Sequence, residues 1–228
     1  MTDGLNIARI EQVHKALGDM ANDFVYVGGA TVSLYRDRPA GEARATEDVD
    51  IVTKLAGYKN YAEVEVLLRK KGFINDVESG IICRWRLDDI TVDIMPTDYK
   101  ILGFSNRWYS EGISHAMEYI TPAGSSIQLF SPEYFIATKL TAFAGRGNGD
   151  GRFSSDFEDV VYLLNNRTTI WEEMNEAKKD VRDYLQQTFA ELLGNKYLEE
   201  WISGHLDFYE KGRTDHILEK LKKFVDND

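Results

Sequence analysis

The stretch that decides the fold is Val25–Val52, VYVGGATVSLYRDRPAGEARATEDVDIV. It holds two short apolar runs, VYV and VDIV; the glycine pair Gly28 and Gly29 closes the first, and Asp48 and Asp50 interrupt the second. In a strand the side-chain period is two, so Asp48 and Asp50 share one face while Val49 and Ile51 point into the core. Two carboxylates side by side repel each other, and holding them near a sheet surface is costly unless a cation lies between them. Hard divalent ions such as magnesium take oxygen ligands, often one or two carboxylates completed by substrate phosphates. The bland alternative for such a pair is a set of solvent-facing acids on an edge strand.

Working outward, Ile7, Ile10, Val13, Leu17 and Met20 recur at three- and four-residue spacing and predict an amphipathic helix ahead of the strand FVYV. After the glycines, ATVSLYR is read as the start of a helix and RDRPAGEAR as a polar loop. EDVDIVTK is read as a strand, and YAEVEVLLRKKG as a helix stopped by Gly72. IICRWRL and ITVDIMP, joined by Asp88 and Asp89, predict a hairpin, and MEYITPAGSSIQLF a second one. From Ser131 onward helices take over: SPEYFIATKLTAFAGR has a serine cap, Pro132 at the first helical position and Glu133 in the first turn. The glycine-rich GRGNGDGRFSS is either a lid or an exposed loop, and SSDFEDVVYLLNNR begins another helix. The expected fold class is α/β (α+β), a mixed β-sheet with flanking helices, divided into a core over 1–130 and a helical region over 131–228.

The chain has 228 residues, 43% of them hydrophobic, enough to bury a substantial core. Its formal net charge of -11 opposes a broad nucleic-acid footprint, so a phosphate-bearing partner has to be held by a local basic patch or through metal ions. No apolar run is long enough to span a bilayer, and MTDGLNIARIEQ lacks the pattern of a signal peptide. Together with the single cysteine, Cys83, which is read as a core filler, this predicts a cytoplasmic protein. The four histidines show no metal-ligand spacing, and GGATVS matches neither the dinucleotide fingerprint nor a Walker loop.

In ITVDIMP the same alternation puts Ile90, Val92 and Ile94 on one face and leaves Asp93 on the other. A third carboxylate aimed at the first two completes a site for two metal ions about 3.5–4 Å apart, which clamps the attacking and leaving oxygens of a phosphoryl displacement.

The order of a glycine pair, Asp-x-Asp in a strand, and a single Asp in a later strand resembles the nucleotidyltransferase fold of the DNA polymerase β superfamily. Within it, GGATVSLYR, RATEDVDIV, TVDIM, KLTAFAGR and SSDFEDVVYLL resemble the AbiEii and MenT type of nucleotidyltransferase toxin. The resemblance implies that Gly28 and Gly29 shape the turn that receives a nucleoside triphosphate. It also implies that Asp48, Asp50 and Asp93 hold two magnesium ions, with manganese as an alternative, and that Asp93 serves the base side. Arg44 and Thr46 match the R-x-T ahead of the Asp-x-Asp. Lys139 matches the lysine given to the triphosphate, and Arg146, Asp156 and Asp159 match a downstream arginine and D-x-x-D. Gly-Gly replaces the superfamily's usual Gly-Ser, so Thr31 or Ser33 has to supply the phosphate-facing hydroxyl. The implied reaction moves an NMP from an NTP to an acceptor. The implied acceptor is an RNA end such as the 3′ end of a tRNA, and the implied setting is a toxin with a cognate antitoxin protein. Arg36, Arg38, Lys70, Lys71, Arg84 and Arg86 are candidate phosphate contacts. The rival readings are transfer to a small molecule or a protein side chain, and a catalytically silent member that binds a nucleotide or a partner.

Overall fold

The computed structural model describes residues 2–39, 41–53, 58–103 and 105–227. The chain forms two compact units: Met1–Thr31 with Arg44–Ser131, and Val32–Ala43 with Pro132–Asp228.

The first unit contains helix α1 (Thr2–Leu17), strands β1 (Phe24–Val27) and β2 (Asp48–Thr53), helix α2 (Tyr58–Lys70), and strands β3 (Ile74–Asn75), β4 (Arg84–Leu87) and β5 (Ile90–Pro96). Short helices α3 (Tyr99–Leu102) and α4 (Tyr109–Ser114) lead to strands β6 (Met117–Ile120) and β7 (Ser126–Leu129). All seven strands make one mixed sheet, in the order β3-β4-β5-β2-β1-β7-β6. β2 runs parallel to β5 and antiparallel to β1, and β1 runs parallel to β7. Both expected hairpins are present, β4–β5 and β6–β7. At the β4–β5 turn Asp88 takes φ +52, a left-handed conformation that aspartate accepts more readily than most residues.

The buried line of α1 is Asp3, Asn6, Ile10, Val13 and Leu17, so the expected stripe is right from Ile10 to Leu17 but has polar groups rather than Ile7 at its start, and Met20 falls beyond the helix in a 3-10 stretch, Gly18–Asp23, where it is half-buried. Asn6 is buried for a reason: its Nδ2 donates to the Arg44 carbonyl at 3.1 Å, and its Oδ1 accepts from the Thr46 amide at 3.4 Å. Arg9 donates to the Thr46 carbonyl as well. The first turns of α1 thus pin the segment that enters β2. α2 ends as expected: Gly72 takes φ +92, and the Phe73 amide reaches back to the Leu68 carbonyl at 3.1 Å. The predicted strand IICRWRL is shorter than its apolar run, because Ile81 and Ile82 precede β4 and lie exposed.

The second unit is helical: α5 (Pro132–Arg146), α6 (Ser155–Asn166), α7 (Ile170–Glu176), α8 (Lys179–Leu193), α9 (Leu198–Gly204) and α10 (Thr214–Val225). Pro132 opens α5, where its missing N–H costs nothing. Ser154 caps α6 by accepting from the Phe157 amide at 3.3 Å. Phe143, Phe157 and Trp201 form an aromatic cluster with centroids 5.3–6.2 Å apart. The glycine-rich loop is built onto that cluster. A Cβ on Gly147 would stand 2.3 Å from the Phe143 ring, and one on Gly151 would stand 2.7 Å from the Trp201 ring.

The region read as helix and loop after the glycines is a 3-10 stretch, Gly29–Tyr35, followed by a strap tied to the helices. The Asp37 amide donates to the Asn166 carbonyl at 3.2 Å, and the Asp37 carboxylate accepts from the Thr168 amide and hydroxyl. Arg38 donates to the Asn165 carbonyl at 2.9 Å and pairs with Glu210, and Arg167 donates to the Tyr35 carbonyl at 3.0 Å. Among the described residues no helix is long and apolar enough to cross a membrane.

Candidate active site

Sheet register brings the separate motifs together. Val27 of β1 pairs with Asp50 of β2, Asp50 with Asp93 of β5, and Asp93 with Arg84 of β4, so one transverse row crosses four adjacent strands. Paired residues project to the same face of a sheet, and Asp48 joins that face two residues before Asp50. β2 is the central strand of seven, which removes the edge-strand explanation of the Asp pair. Val49 and Ile51 are fully buried, Asp48 and Asp50 half-buried, and Asp93 buried. One carboxylate oxygen from each of Asp48, Asp50 and Asp93 lies within 4.8 Å of the others. Three hard oxygen donors at that spacing fit a divalent cation such as magnesium or manganese.

Gly28 borders this cluster and has to be glycine on two counts. Its φ is +77, and a Cβ would stand 1.8 Å from Asp50 Oδ2. At Gly29 a Cβ would stand 2.3 Å from Arg44 Nη2, so the guanidinium lies against the glycine turn. Thr46 donates its hydroxyl to Asp48 Oδ1. The R-x-T segment is therefore part of the site's frame, with Thr46 orienting Asp48, and α1 fixing the backbone through Asn6 and Arg9. Thr31 is fully buried, and its hydroxyl donates to the Gly28 carbonyl at 2.9 Å, closing the turn rather than facing a phosphate. Ser33 is buried and falls in the helical unit.

Arg84, expected from the sequence only as a candidate phosphate contact, is bound to the carboxylates themselves. Its Nε and Nη2 donate to the two Asp93 oxygens at 2.8 and 2.7 Å, and Nη2 lies 3.8 Å from Asp48 Oδ2. The bidentate pair holds the guanidinium firmly in its charged form, with the Asp93 hydrogen bonds as the leading cause. The residue count shows why the sequence hid this. Arg84 stands nine residues before Asp93, across a two-residue turn, and only the antiparallel register places it opposite. The Cys83 thiol is pushed up to about 12, first by burial and then by Asp93 and Asp50, so it stays protonated and serves as core, as expected.

In the helical unit, Lys139 Nζ lies 2.6 Å from Asp159 Oδ2 and 3.4 Å from Asp156 Oδ1, with all three residues buried. Arg146 makes a bidentate pair with Asp156 at 2.7 and 2.8 Å, while its own side chain is 71% exposed. Burial pushes Asp156 up, but the Arg146 hydrogen bonds and the Lys139 charge outweigh it, leaving Asp156 below the ordinary carboxylate range. The four residues singled out on α5 and α6 thus form one connected ion cluster.

No protein-family model matches the sequence, and no curated protein matches it. Among solved structures, the chain aligns with a STING-associated CdnE c-di-GMP synthase from Capnocytophaga granulosa. The alignment covers 97% of this chain and 81% of that one at 10% identity, with a TM-score of 0.28, a likeness too slight to bear on chemistry.

Proposed function

We propose that this protein is a metal-dependent nucleotidyltransferase that transfers an NMP from an NTP to an acceptor hydroxyl. The observation that carries the reading is the convergence of Asp48, Asp50 and Asp93 within 4.8 Å, beside a glycine whose missing Cβ leaves room for Asp50. A bound pair of divalent cations, magnesium first and manganese as the alternative, supplies charge neutralisation for the phosphates and acidifies the attacking hydroxyl. Asp48 and Asp50 hold that charge from the central strand, with Thr46 fixing Asp48. The backbone of Gly28 and Gly29 receives the phosphates. Asp93 stands on the acceptor side, where the hydroxyl proton passes to it or to adjacent water. The hydroxyl oxygen bonds to the α-phosphorus, the bond to the bridging oxygen breaks, and pyrophosphate leaves. Positioning and electrostatic stabilisation carry most of such a transfer.

The resemblance extends the proposal. Lys139, with Asp156, Asp159 and Arg146, is given to the triphosphate; the acceptor is an RNA end such as a tRNA 3′ end; and the setting is a cytoplasmic toxin opposed by a cognate antitoxin protein. The acidic balance of the chain supports recognition of an end rather than a long RNA footprint.

The test incubates the protein with α-labelled NTPs, magnesium and total cellular RNA, beside Asp48→Ala. Label on RNA in the wild type but not in the variant is the expected result. Label on a small molecule or a protein band redirects the acceptor, and label that never leaves the NTP refutes the transferase.

A further inference from the structure

The register that assembles the carboxylates also lays a second row beside them. Asp48 of β2 pairs with Thr91 of β5, Thr91 with Arg86 of β4, and Arg86 with Ile74 of β3. Asp48, Thr91 and Arg86 each stand two residues from Asp50, Asp93 and Arg84, so the two rows share one face. The opposite face is core, with Val49, Val92 and Trp85 fully buried and the Arg69 guanidinium of α2 lying 5.3 Å from the Trp85 ring. On the carboxylate face the exposure rises outward. Asp48 and Thr91 are half-buried, the Arg86 side chain is 54% exposed and Ile74 is 69% exposed. Arg86 faces Asp76 Oδ2 at 4.0 Å, too long for a hydrogen bond, and the Thr91 hydroxyl makes none among the described residues. A sheet face left to water is ordinarily polar. This one ends in an isoleucine.

Three kinds of contact thus follow one another away from Asp48: a hydroxyl, a guanidinium and an apolar side chain. With neighbouring strands about 4.8 Å apart, the row reaches about 14 Å from Asp48 to Ile74, enough for a terminal nucleotide and the one before it. The sheet order adds direction. The Gly28 turn follows β1 on one side of the β2–β5 pair, while β4 and β3 lie on the other. We propose that this open face of β5, β4 and β3 is the acceptor platform for a polynucleotide end. Arg86, with Thr91, holds the phosphodiester that precedes the terminal nucleotide, and Ile74 packs against the preceding base. The terminal hydroxyl then lies at Asp48 and Asp93. Arg84 commits Nε and Nη2 to Asp93, so Arg86 is the cation of this face whose planar fork can take two phosphate oxygens at once. The inference rests on the transferase reading for the word acceptor, but not for the binding itself.

The test titrates the full chain with fluorescently labelled total tRNA by anisotropy, without metal or NTP, over a range of salt concentrations. It compares the wild type with Arg86→Ala, Arg86→Lys, Ile74→Ser and Lys70→Ala, the last removing an exposed cation from α2. Arg86→Ala should bind about tenfold more weakly, the worth of one charge-assisted hydrogen bond, and its salt slope should fall by about one. Arg86→Lys keeps the charge and should keep the slope while recovering part of the affinity. Ile74→Ser should weaken binding with the slope unchanged, and Lys70→Ala should bind as the wild type does. In turnover Arg86→Ala should raise KM for the acceptor and leave KM for the NTP and the Mn²⁺ affinity unchanged. Wild-type tRNA affinity in Arg86→Ala overturns the proposal, and so does a wild type that does not bind tRNA. An equal loss in Lys70→Ala overturns it by making the effect one of net charge. A rise in KM for the NTP alone overturns it by giving Arg86 to the triphosphate. Failure of the transferase reading itself has a different signature, namely no metal binding and no label transfer by the wild type whatever the tRNA titration shows.

Discussion

Gly28→Ala separates backbone strain from damage to the site. At φ +77 an alanine costs about 1–2 kcal/mol for a left-handed conformation. Its methyl would also stand 1.8 Å from Oδ2, 2.6 Å from Cγ and 2.8 Å from Cβ of Asp50, so the carboxylate has to leave its place or the turn has to move. Gly72→Ala supplies the control, because Gly72 has φ +92 and a methyl added there would meet nothing within 4 Å. Both variants should unfold roughly 2–8 °C below the wild type, taking about 2–4 °C per kcal/mol for a chain of this length. Only Gly28→Ala should lose Mn²⁺ affinity, by at least about tenfold, since disturbing a ligand's support typically costs ten- to a hundredfold. The assay is Mn²⁺ titration followed by electron paramagnetic resonance, beside thermal unfolding of the same samples. Wild-type Mn²⁺ affinity in Gly28→Ala, or an equal loss in Gly72→Ala, refutes the idea that Gly28 is there to make room for Asp50.

Asp159→Ala removes the 2.6 Å partner of a buried lysine and leaves Lys139 with Asp156 at 3.4 Å, so denaturant unfolding should show a loss of about 3–5 kcal/mol. A loss below about 1 kcal/mol would mean the ammonium escapes to solvent. Asp156 lies below its ordinary value in the folded state, so its contribution is present above the unfolded value of about 4 and is lost as pH falls through the folded one. The stability difference between wild type and Asp156→Asn should accordingly stay level from about pH 7 to 5 and shrink below about pH 4; a difference that widens in acid contradicts the sign. Asn6→Ala strands the Thr46 amide and the Arg44 carbonyl and should cost about 1–3 kcal/mol by equilibrium unfolding, with little change refuting the brace.

Much of the local structure was legible. The serine and proline ahead of α5, the serine ahead of α6, Gly72 after α2 and the two hairpins are set by short-range chemistry, and each is found where that chemistry puts it. Asn6 and Asp3 carried a readable signal that the apolar stripe obscured, since positions 3, 6, 10, 13 and 17 form one helical line with two polar members. The strap after the glycines was not legible. In sequence Arg36 and Arg38 read as candidate phosphate contacts on a polar loop, yet Arg38 is held by Asn165 and Glu210, which stand 127 and 172 residues along the chain.

The sequence by itself determined that Asp48 and Asp50 share a face, that Asp93 faces away from its apolar neighbours, and that a glycine turn stands near by, because strand alternation and glycine's freedom are properties of a few adjacent residues. Only the tertiary structure decided that β2 lies between β1 and β5, in the register that sets Val27, Asp50, Asp93 and Arg84 in one row. That register comes from long-range pairing of apolar strands. A slip of one residue would turn every carboxylate to the other face, and no local pattern in either strand specifies which partner it meets.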